Sequence, residues 1–118
     1  MDMNVTIWHN PRCSKSRQTL QLLGSAGATP EVRLYLSDAP NEAEIRAVLA
    51  KLGIPAIDLI RTGEPAFKDA GLTLQSPEKV LIAAMAAHPI LIERPIVIAG
   101  SSAALGRPPE AVLEILKS

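Results

Sequence analysis

Hydrophobic and polar positions in the first third of the chain alternate between strand-like and helix-like spacing. Residues 5–8 form a short run of β-favouring side chains, and Asn10 and Pro11 after it favour a turn. From residue 14 to residue 26 the apolar positions repeat at helical spacing. Residues 31–36 again have the composition of a strand. The pattern therefore predicts a strand, a helix and a second strand, in that order.

The middle of the chain is predicted to be helical. Asn41 and Glu44 have the spacing of a capping box at the start of a helix, and one apolar stripe follows them. This stripe consists of Ile45, Val48, Leu49 and Leu52. Glycine and proline break residues 56–74 into short helical turns, after which Ser76 is predicted to cap a helix with Pro77 at its first position. The predicted buried face of that helix is Val80, Leu81, Ala84 and Met85.

The C-terminal third returns to strand-like patterns. Residues 96–99 are a continuous apolar run, as a strand buried on both faces requires, and residues 101–106 could turn back as its hairpin partner. Pro108 and Pro109 are predicted to open a final helix. Its inward residues would be Val112, Ile115 and Leu116. The order β-α-β, helical segment, β-β-α predicts an α/β fold with a mixed sheet.

Length and composition are those of one globular domain over residues 1–118. Hydrophobic residues make up 47% of the chain, and 12 Lys and Arg balance 12 Asp and Glu, so nothing global indicates a nucleic-acid or membrane partner. The N-terminus lacks the pattern of a signal peptide. His88 and Pro89 interrupt the apolar stretch from residue 81 to residue 92 well before membrane-spanning length. We therefore expect a cytoplasmic protein without nucleic-acid or membrane partners.

The candidate chemistry centres on Cys13, the single cysteine, which excludes an internal disulfide and favours a reducing compartment. A lone cysteine is most often a small buried hydrophobic residue. Cys13, however, lies where the first predicted strand gives way to a helix, and free backbone N–H groups there favour a thiolate over a thiol. Arg12, Lys15 and Arg17 add positive charge nearby. The sequence therefore predicts a nucleophilic thiolate that attracts an anion.

The segment around this cysteine resembles the active-site segment of the glutaredoxin-coupled arsenate reductase family, in particular its short branch. Residues 7–17 read Ile-Trp-His-Asn-Pro-Arg-Cys-Ser-Lys-Ser-Arg. The resemblance extends over essentially the whole chain through Leu59-Ile60-Arg61, His88-Pro89, Glu93-Arg94-Pro95-Ile96-Val97 and Gly106-Arg107-Pro108-Pro109-Glu110. It implies a thioredoxin-like α/β fold, that is, a mixed four-stranded sheet with flanking helices and a helical insertion at about residues 41–88.

The same resemblance implies a mechanism. Cys13 would attack arsenate or a similar oxyanion. The oxyanion and its thiol adduct would be bound by Arg61, Arg94 and Arg107, whose guanidinium groups match tetrahedral oxyanions bidentately. Glutathione would resolve the adduct and glutaredoxin would reduce the mixed disulfide, so these two are the expected reductants and no tightly bound cofactor is expected. Pro95 would be the cis-proline of the fold, beside the reactive sulfur.

Several supporting residues have two interpretations each. His9 could be a polar residue that closes the first strand, or it could tune the pKa of Cys13. Ser14 or Ser16 could cap the helix or hydrogen-bond the thiolate. His88, at a predicted helix end before Pro89, is expected to be a C-terminal cap rather than a catalyst.

Other kinds of cysteine site fit the spacing poorly. A low-molecular-weight phosphatase has arginine six residues after its cysteine, where this chain has Thr19. Relatives that regulate RNA polymerase use a Cys-x-x-Cys pair, and Ser16 replaces the second cysteine here. One cysteine and two separated histidines match no structural zinc pattern, so no metal site is expected.

Two functional classes stay open on this basis. The first is an oxidoreductase of the arsenate reductase type. Ser14 and Lys15 stand where the archetypal enzymes carry Gly-Thr, so its predicted substrate is arsenate or a similar oxyanion. The second is a non-catalytic anion- or partner-binding protein that retains the fold.

Overall fold

A computed structural model describes residues 4–117 of the chain. They divide into two compact units. The sheet unit contains residues 4–38 and 94–117, and the helical unit contains residues 39–93. That the whole chain acts as one domain stays a prediction.

The sheet unit is built on four strands: β1 (Val5–Trp8), β2 (Glu31–Arg33), β3 (Ile96–Ala99) and β4 (Ser102–Leu105). Their order in the sheet is β2-β1-β3-β4. Strand β1 pairs in parallel with β2 and antiparallel with β3, and β3 pairs antiparallel with β4. The predicted thioredoxin-like fold class, a mixed four-stranded sheet with flanking helices, is confirmed.

Strand β2 is shorter than the segment 31–36 predicted from composition. It ends at Arg33, and the backbone N–H groups of Ser37 and Asp38 both donate to the carbonyl of Leu34. The Arg33 Nε atom also donates to the Asp38 carbonyl at 3.0 Å. The alternating apolar residues therefore continue past β2 into a hydrogen-bonded turn, because these local bonds replace those of a strand ladder.

Helix α1 (Ser14–Ser25) and a C-terminal 3₁₀ helix (Pro109–Lys117) complete the sheet unit. Their apolar side chains form one core with the two central strands. The buried members are Val5, Ile7, Leu23, Val97, Ala99 and Val112, and Ile115 and Leu116 are partly buried against them. The final helix thus presents the residues expected inward, although it is 3₁₀ rather than α. Gly27 ends α1 with φ of 88°, and the Ala28 N–H donates to the Leu23 carbonyl, as in a Schellman motif.

The helical unit contains four short helices and a 3₁₀ turn. They are α2 (Glu42–Leu52), α3 (Ala56–Leu59), α4 (Pro65–Asp69), α5 (Glu78–Ala87) and the turn Pro89–Leu91. The predicted capping box is present, because Asn41 Oδ1 accepts from the Glu44 N–H while Glu44 Oε1 accepts from the Asn41 N–H. All these elements lie within residues 42–91, close to the insertion of about 41–88 predicted from the resemblance.

The start and the buried face of α5 differ from the prediction. Pro77 is the N-cap rather than the first helical residue, and Ser76 Oγ accepts from the Thr73 N–H at 2.9 Å instead of capping the helix. Val80 is 39% exposed, whereas Ile82 is buried together with Leu81 and Met85. Two of the four predicted inward residues, Leu81 and Met85, are therefore buried, and Ile82 rather than Val80 completes the buried face. Within residues 4–117, the helices are all too short or too polar to span a bilayer.

Candidate active site

Cys13 lies at the junction of β1 and α1, as predicted, and is the N-cap residue of that helix. Its backbone is extended, with φ of −92° and ψ of 122°. Its N–H donates to the Asn10 carbonyl at 3.0 Å, and its carbonyl accepts from the Arg17 N–H at 3.0 Å. The side chain is half-buried and does not cap the helix itself. These bonds hold the thiol over the first turn of α1.

The surroundings of the sulfur lower the pKa of Cys13 below its ordinary value. Burial is the largest single influence and raises the pKa, because it disfavours the charged thiolate. The backbone N–H groups of Ser16 and Lys15, together with the charge and a hydrogen bond of Arg94, outweigh it. The positive charge that stabilises the thiolate therefore comes from Arg94, which is distant in sequence, as well as from the helix N-terminus.

Two of the three predicted oxyanion-binding arginines converge on this sulfur. Arg94, half-buried, hydrogen-bonds the Cys13 side chain. Arg107 Nη2 lies 3.9 Å from Cys13 Sγ, and Arg107 Nε donates to the Arg94 carbonyl at 2.8 Å. Each arginine precedes a proline, and both the Arg94-Pro95 and the Arg107-Pro108 bonds are cis. Two guanidinium groups beside one thiolate can bind a tetrahedral oxyanion next to the nucleophile.

Arg61 lies in the helical unit. Its Nη1 atom is 2.9 Å from Glu64 Oε2, and its Nε atom is 3.9 Å from Glu93 Oε1. Its N–H donates to the Leu91 carbonyl at 2.7 Å. Two carboxylates thus surround this guanidinium, and its predicted part in oxyanion binding stays a prediction.

His9 and Ser16 form a buried polar pair below the Cys13 loop. His9 Nδ1 lies 2.7 Å from Ser16 Oγ, which also accepts from the Asn10 N–H at 3.0 Å. Burial, and secondly the charge of Arg17, lower the pKa of His9 and favour the neutral imidazole. Ser16 thus contacts the Cys13 sulfur through its backbone N–H, while its hydroxyl ties the loop to α1. The expected hydrogen bond of Ser16 to the Cys13 sulfur is thus made by the backbone N–H and not by the hydroxyl.

The charged residues next to Cys13 in sequence are less involved than expected. Arg17 is exposed, and its Nη1 atom donates to the Pro11 carbonyl at 2.8 Å, which fastens the loop to the helix. Arg12 and Lys15 are also exposed. Lys15 contributes its backbone N–H to the thiolate. His88 is the exposed C-cap of α5, in agreement with its expected role.

Gly106 is a residue of this site that the sequence argument did not single out. It is buried, follows β4 directly and precedes Arg107. Its N–H donates to the Pro95 carbonyl at 3.0 Å. A glycine at a strand end next to a candidate ligand is a signal of close backbone approach that could have drawn attention to it.

The described residues 4–117 contain no cluster of three or more His, Cys, Asp or Glu side chains placed to hold a metal ion. The site offers a thiol with a lowered pKa and two guanidinium groups beside it. This combination suits nucleophilic attack on an anion.

Comparisons with known proteins identify the family of this chain. The model of the ArsC family matches residues 8–115. The chain is 49% identical over 118 residues to the uncharacterized protein YfgD of Escherichia coli, covering 98% of this chain and 99% of that one. It is 46% identical to an arsenate reductase of Haemophilus influenzae, covering 97% and 100% of the two chains. The structure of an arsenate reductase from Vibrio cholerae superposes with a TM-score of 0.93 at 45% identity, covering 98% and 99%. The resemblance found in the sequence is thereby confirmed, and the chain belongs to the ArsC family.

Proposed function

We propose that this protein is a thiol-dependent oxidoreductase that reduces arsenate or a similar tetrahedral oxyanion. The observation that carries the proposal is the placement of Cys13 Sγ at the N-terminus of α1 beside Arg94 and Arg107. Relatives that share 46% and 45% identity over nearly their full length bear the name arsenate reductase.

The first step uses the lowered pKa of Cys13. The thiolate attacks the pentavalent arsenic, a sulfur–arsenic bond forms, and one arsenate oxygen leaves as water after protonation. Arg94 and Arg107 offset the charge of the remaining oxygens, which a nearby thiolate would otherwise repel. Arsenic is not yet reduced in this step. Arg61 is proposed as a third oxyanion ligand on the basis of the family resemblance.

The second step needs an external thiol, because the chain contains one cysteine. We propose glutathione, whose thiolate attacks Cys13 Sγ while the sulfur–arsenic electron pair passes to arsenic and releases trivalent arsenic. Cys13 is left in a mixed disulfide with glutathione. A glutaredoxin thiol then takes over the glutathione and restores Cys13. These reductants belong to a reducing compartment and fit a cytoplasmic location.

Arsenate-dependent NADPH consumption, coupled through glutaredoxin, glutathione and glutathione reductase, tests the proposal. The wild-type chain is expected to turn over arsenate, and Cys13→Ser is expected to lose turnover because serine supplies no comparable nucleophile. Gln18→Ala is the matched control, because Gln18 is an exposed residue of α1. Equal rates for the wild-type chain and Cys13→Ser would remove the catalytic claim and leave the anion-binding alternative.

A further inference from the structure

We propose that Gly106 is a positioning residue, whose missing side chain allows the end of β4 to lie against Pro95 and Thr19 and so sets Arg107 beside Cys13. The inference rests on the proposed function only in taking Cys13 as the reactive thiolate. It concerns how the end of β4 places Arg107 next to Cys13.

The register of the sheet leads directly to this placement. In the β3–β4 hairpin, Ile96 pairs with Leu105. The hydrogen bond from the Gly106 N–H to the Pro95 carbonyl continues this pairing by one residue. Arg107 then follows next to Arg94, whose carbonyl accepts from Arg107 Nε at 2.8 Å.

Space, rather than backbone conformation, requires glycine at position 106. Gly106 does not have the positive φ that disfavours other residues. A Cβ atom there would lie 2.6 Å from Pro95 Cγ and would also overlap Thr19 Oγ1. Neither neighbour can readily move aside, because Pro95 Cγ belongs to a buried ring and the Thr19 hydroxyl donates to the Lys15 carbonyl at 2.8 Å. A methyl group must therefore push β4 away from α1, and Arg107 moves with it.

Alkylation of Cys13 by two reagents measures the position of Arg107 without arsenate. Iodoacetate is an anion and iodoacetamide is neutral, so the ratio of their rates reports positive charge near the sulfur. A unit charge 4 Å away corresponds to a change of roughly five-fold in water, and low ionic strength preserves it. Loss of folded structure would also lower this ratio, so each variant is compared only after its far-UV circular dichroism matches that of the wild-type chain. Because the chain has one cysteine, the measurement reports one site.

In Gly106→Ala the iodoacetate-to-iodoacetamide ratio is expected to fall by about three- to five-fold, and Arg107→Ala is expected to lower it by the same factor. In the double variant the ratio is expected to equal that of Arg107→Ala alone, because Gly106 acts through Arg107. Gly24→Ala is the matched control, since a Cβ atom at Gly24 of α1 meets nothing within 4 Å. It is expected to keep the wild-type ratio.

Two results would overturn the proposal. The first is an iodoacetate-to-iodoacetamide ratio in folded Gly106→Ala that equals the wild-type ratio. The second is a double variant in which Gly106→Ala lowers the ratio of Arg107→Ala by the same factor as it lowers the ratio of the wild-type chain. If Gly106→Ala does not fold, Gly106→Ala combined with Thr19→Ala removes one overlap and keeps the one with Pro95. Its ratio is then expected to lie below that of Thr19→Ala, and equality of the two would refute the idea. An absence of arsenate turnover would contradict the proposed function and leave these ratios unaffected.

Discussion

The reactivity of Cys13 is decided by a balance among a few neighbouring groups. Burial alone would make this cysteine less acidic than a free one, because a thiolate loses solvation in the protein. The N–H groups of Ser16 and Lys15, together with the charge and hydrogen bond of Arg94, outweigh this effect. The same groups that lower the pKa of Cys13 can also bind an oxyanion, so the proposed function assigns activation and substrate binding to shared residues.

Arg94→Ala tests this shared role. The pKa of Cys13 is expected to rise, because the variant loses both a charge and a hydrogen bond to the thiolate, and this rise appears in the pH dependence of iodoacetamide alkylation. Arsenate turnover is expected to fall by roughly 10²- to 10³-fold, in line with the loss of an oxyanion donor. Arg12→Ala is the matched control, since Arg12 is next to Cys13 in sequence and exposed. An equal rise in pKa for both variants would contradict the assignment to Arg94.

His9 should make the stability of the fold depend on pH. Its pKa in the folded chain is lowered by burial and by Arg17, so the unfolded chain binds the histidine proton more readily. The resulting stabilisation is complete above the unfolded pKa of about 6.5 and is lost as the pH falls through the lower, folded value. Chemical unfolding from pH 8 to pH 5 is expected to show a smaller loss of stability for His9→Asn than for the wild-type chain. His88→Asn, which changes an exposed histidine, should retain the wild-type loss.

At the scale of secondary structure, the local sequence predicts a helix start correctly where a side chain hydrogen-bonds the backbone of its own helix. The capping box of α2 is such a case, and both of its hydrogen bonds are present. Asn41→Ala is expected to lower the free energy of unfolding by about 1 kcal/mol, measured in denaturant. Glu44→Gln keeps an oxygen for the Asn41 N–H and should cost less. If the two substitutions cost the same, the Asn41 side chain would not be the main cap.

Local sequence patterns predict the wrong element boundary where a hydrogen bond within a turn competes with the helix or strand. Ser76 and Pro77 have the spacing of a helix start, yet the Ser76 hydroxyl binds the Thr73 N–H and α5 begins one residue later. Residues 31–36 alternate like a strand, but the Leu34 carbonyl closes a turn that ends β2 at Arg33. In both places a turn formed by nearby residues prevails over the intrinsic preference.

For the molecule as a whole, the strand and helix order was predictable but the assembly of the site was only partly so. The buried apolar run of β3 indicated a central strand, which the sheet order confirms. The approach of Arg94 and Arg107 to Cys13 depends on pairings across almost the full chain length, which no local pattern contains. It was expected only from the family resemblance. The sequence does not indicate the role of Gly106, because that role depends on the close approach of this residue to Thr19 of α1 and to Pro95.

The helical unit offers the last test, through Arg61. If Arg61 is the third oxyanion ligand, Arg61→Ala should raise the arsenate concentration needed for half-maximal turnover by roughly ten-fold or more, since charged hydrogen bonds contribute about 1.5–3 kcal/mol. The alkylation rate of Cys13 should stay at the wild-type value. Arg46→Ala is the control, because Arg46 is an exposed arginine of α2 that lies 3.9 Å from Glu42. Glu64 and Glu93 flank Arg61. If Arg61→Ala leaves the arsenate kinetics unchanged and lowers the free energy of unfolding, Arg61 is a structural ion-pair residue and not an oxyanion ligand.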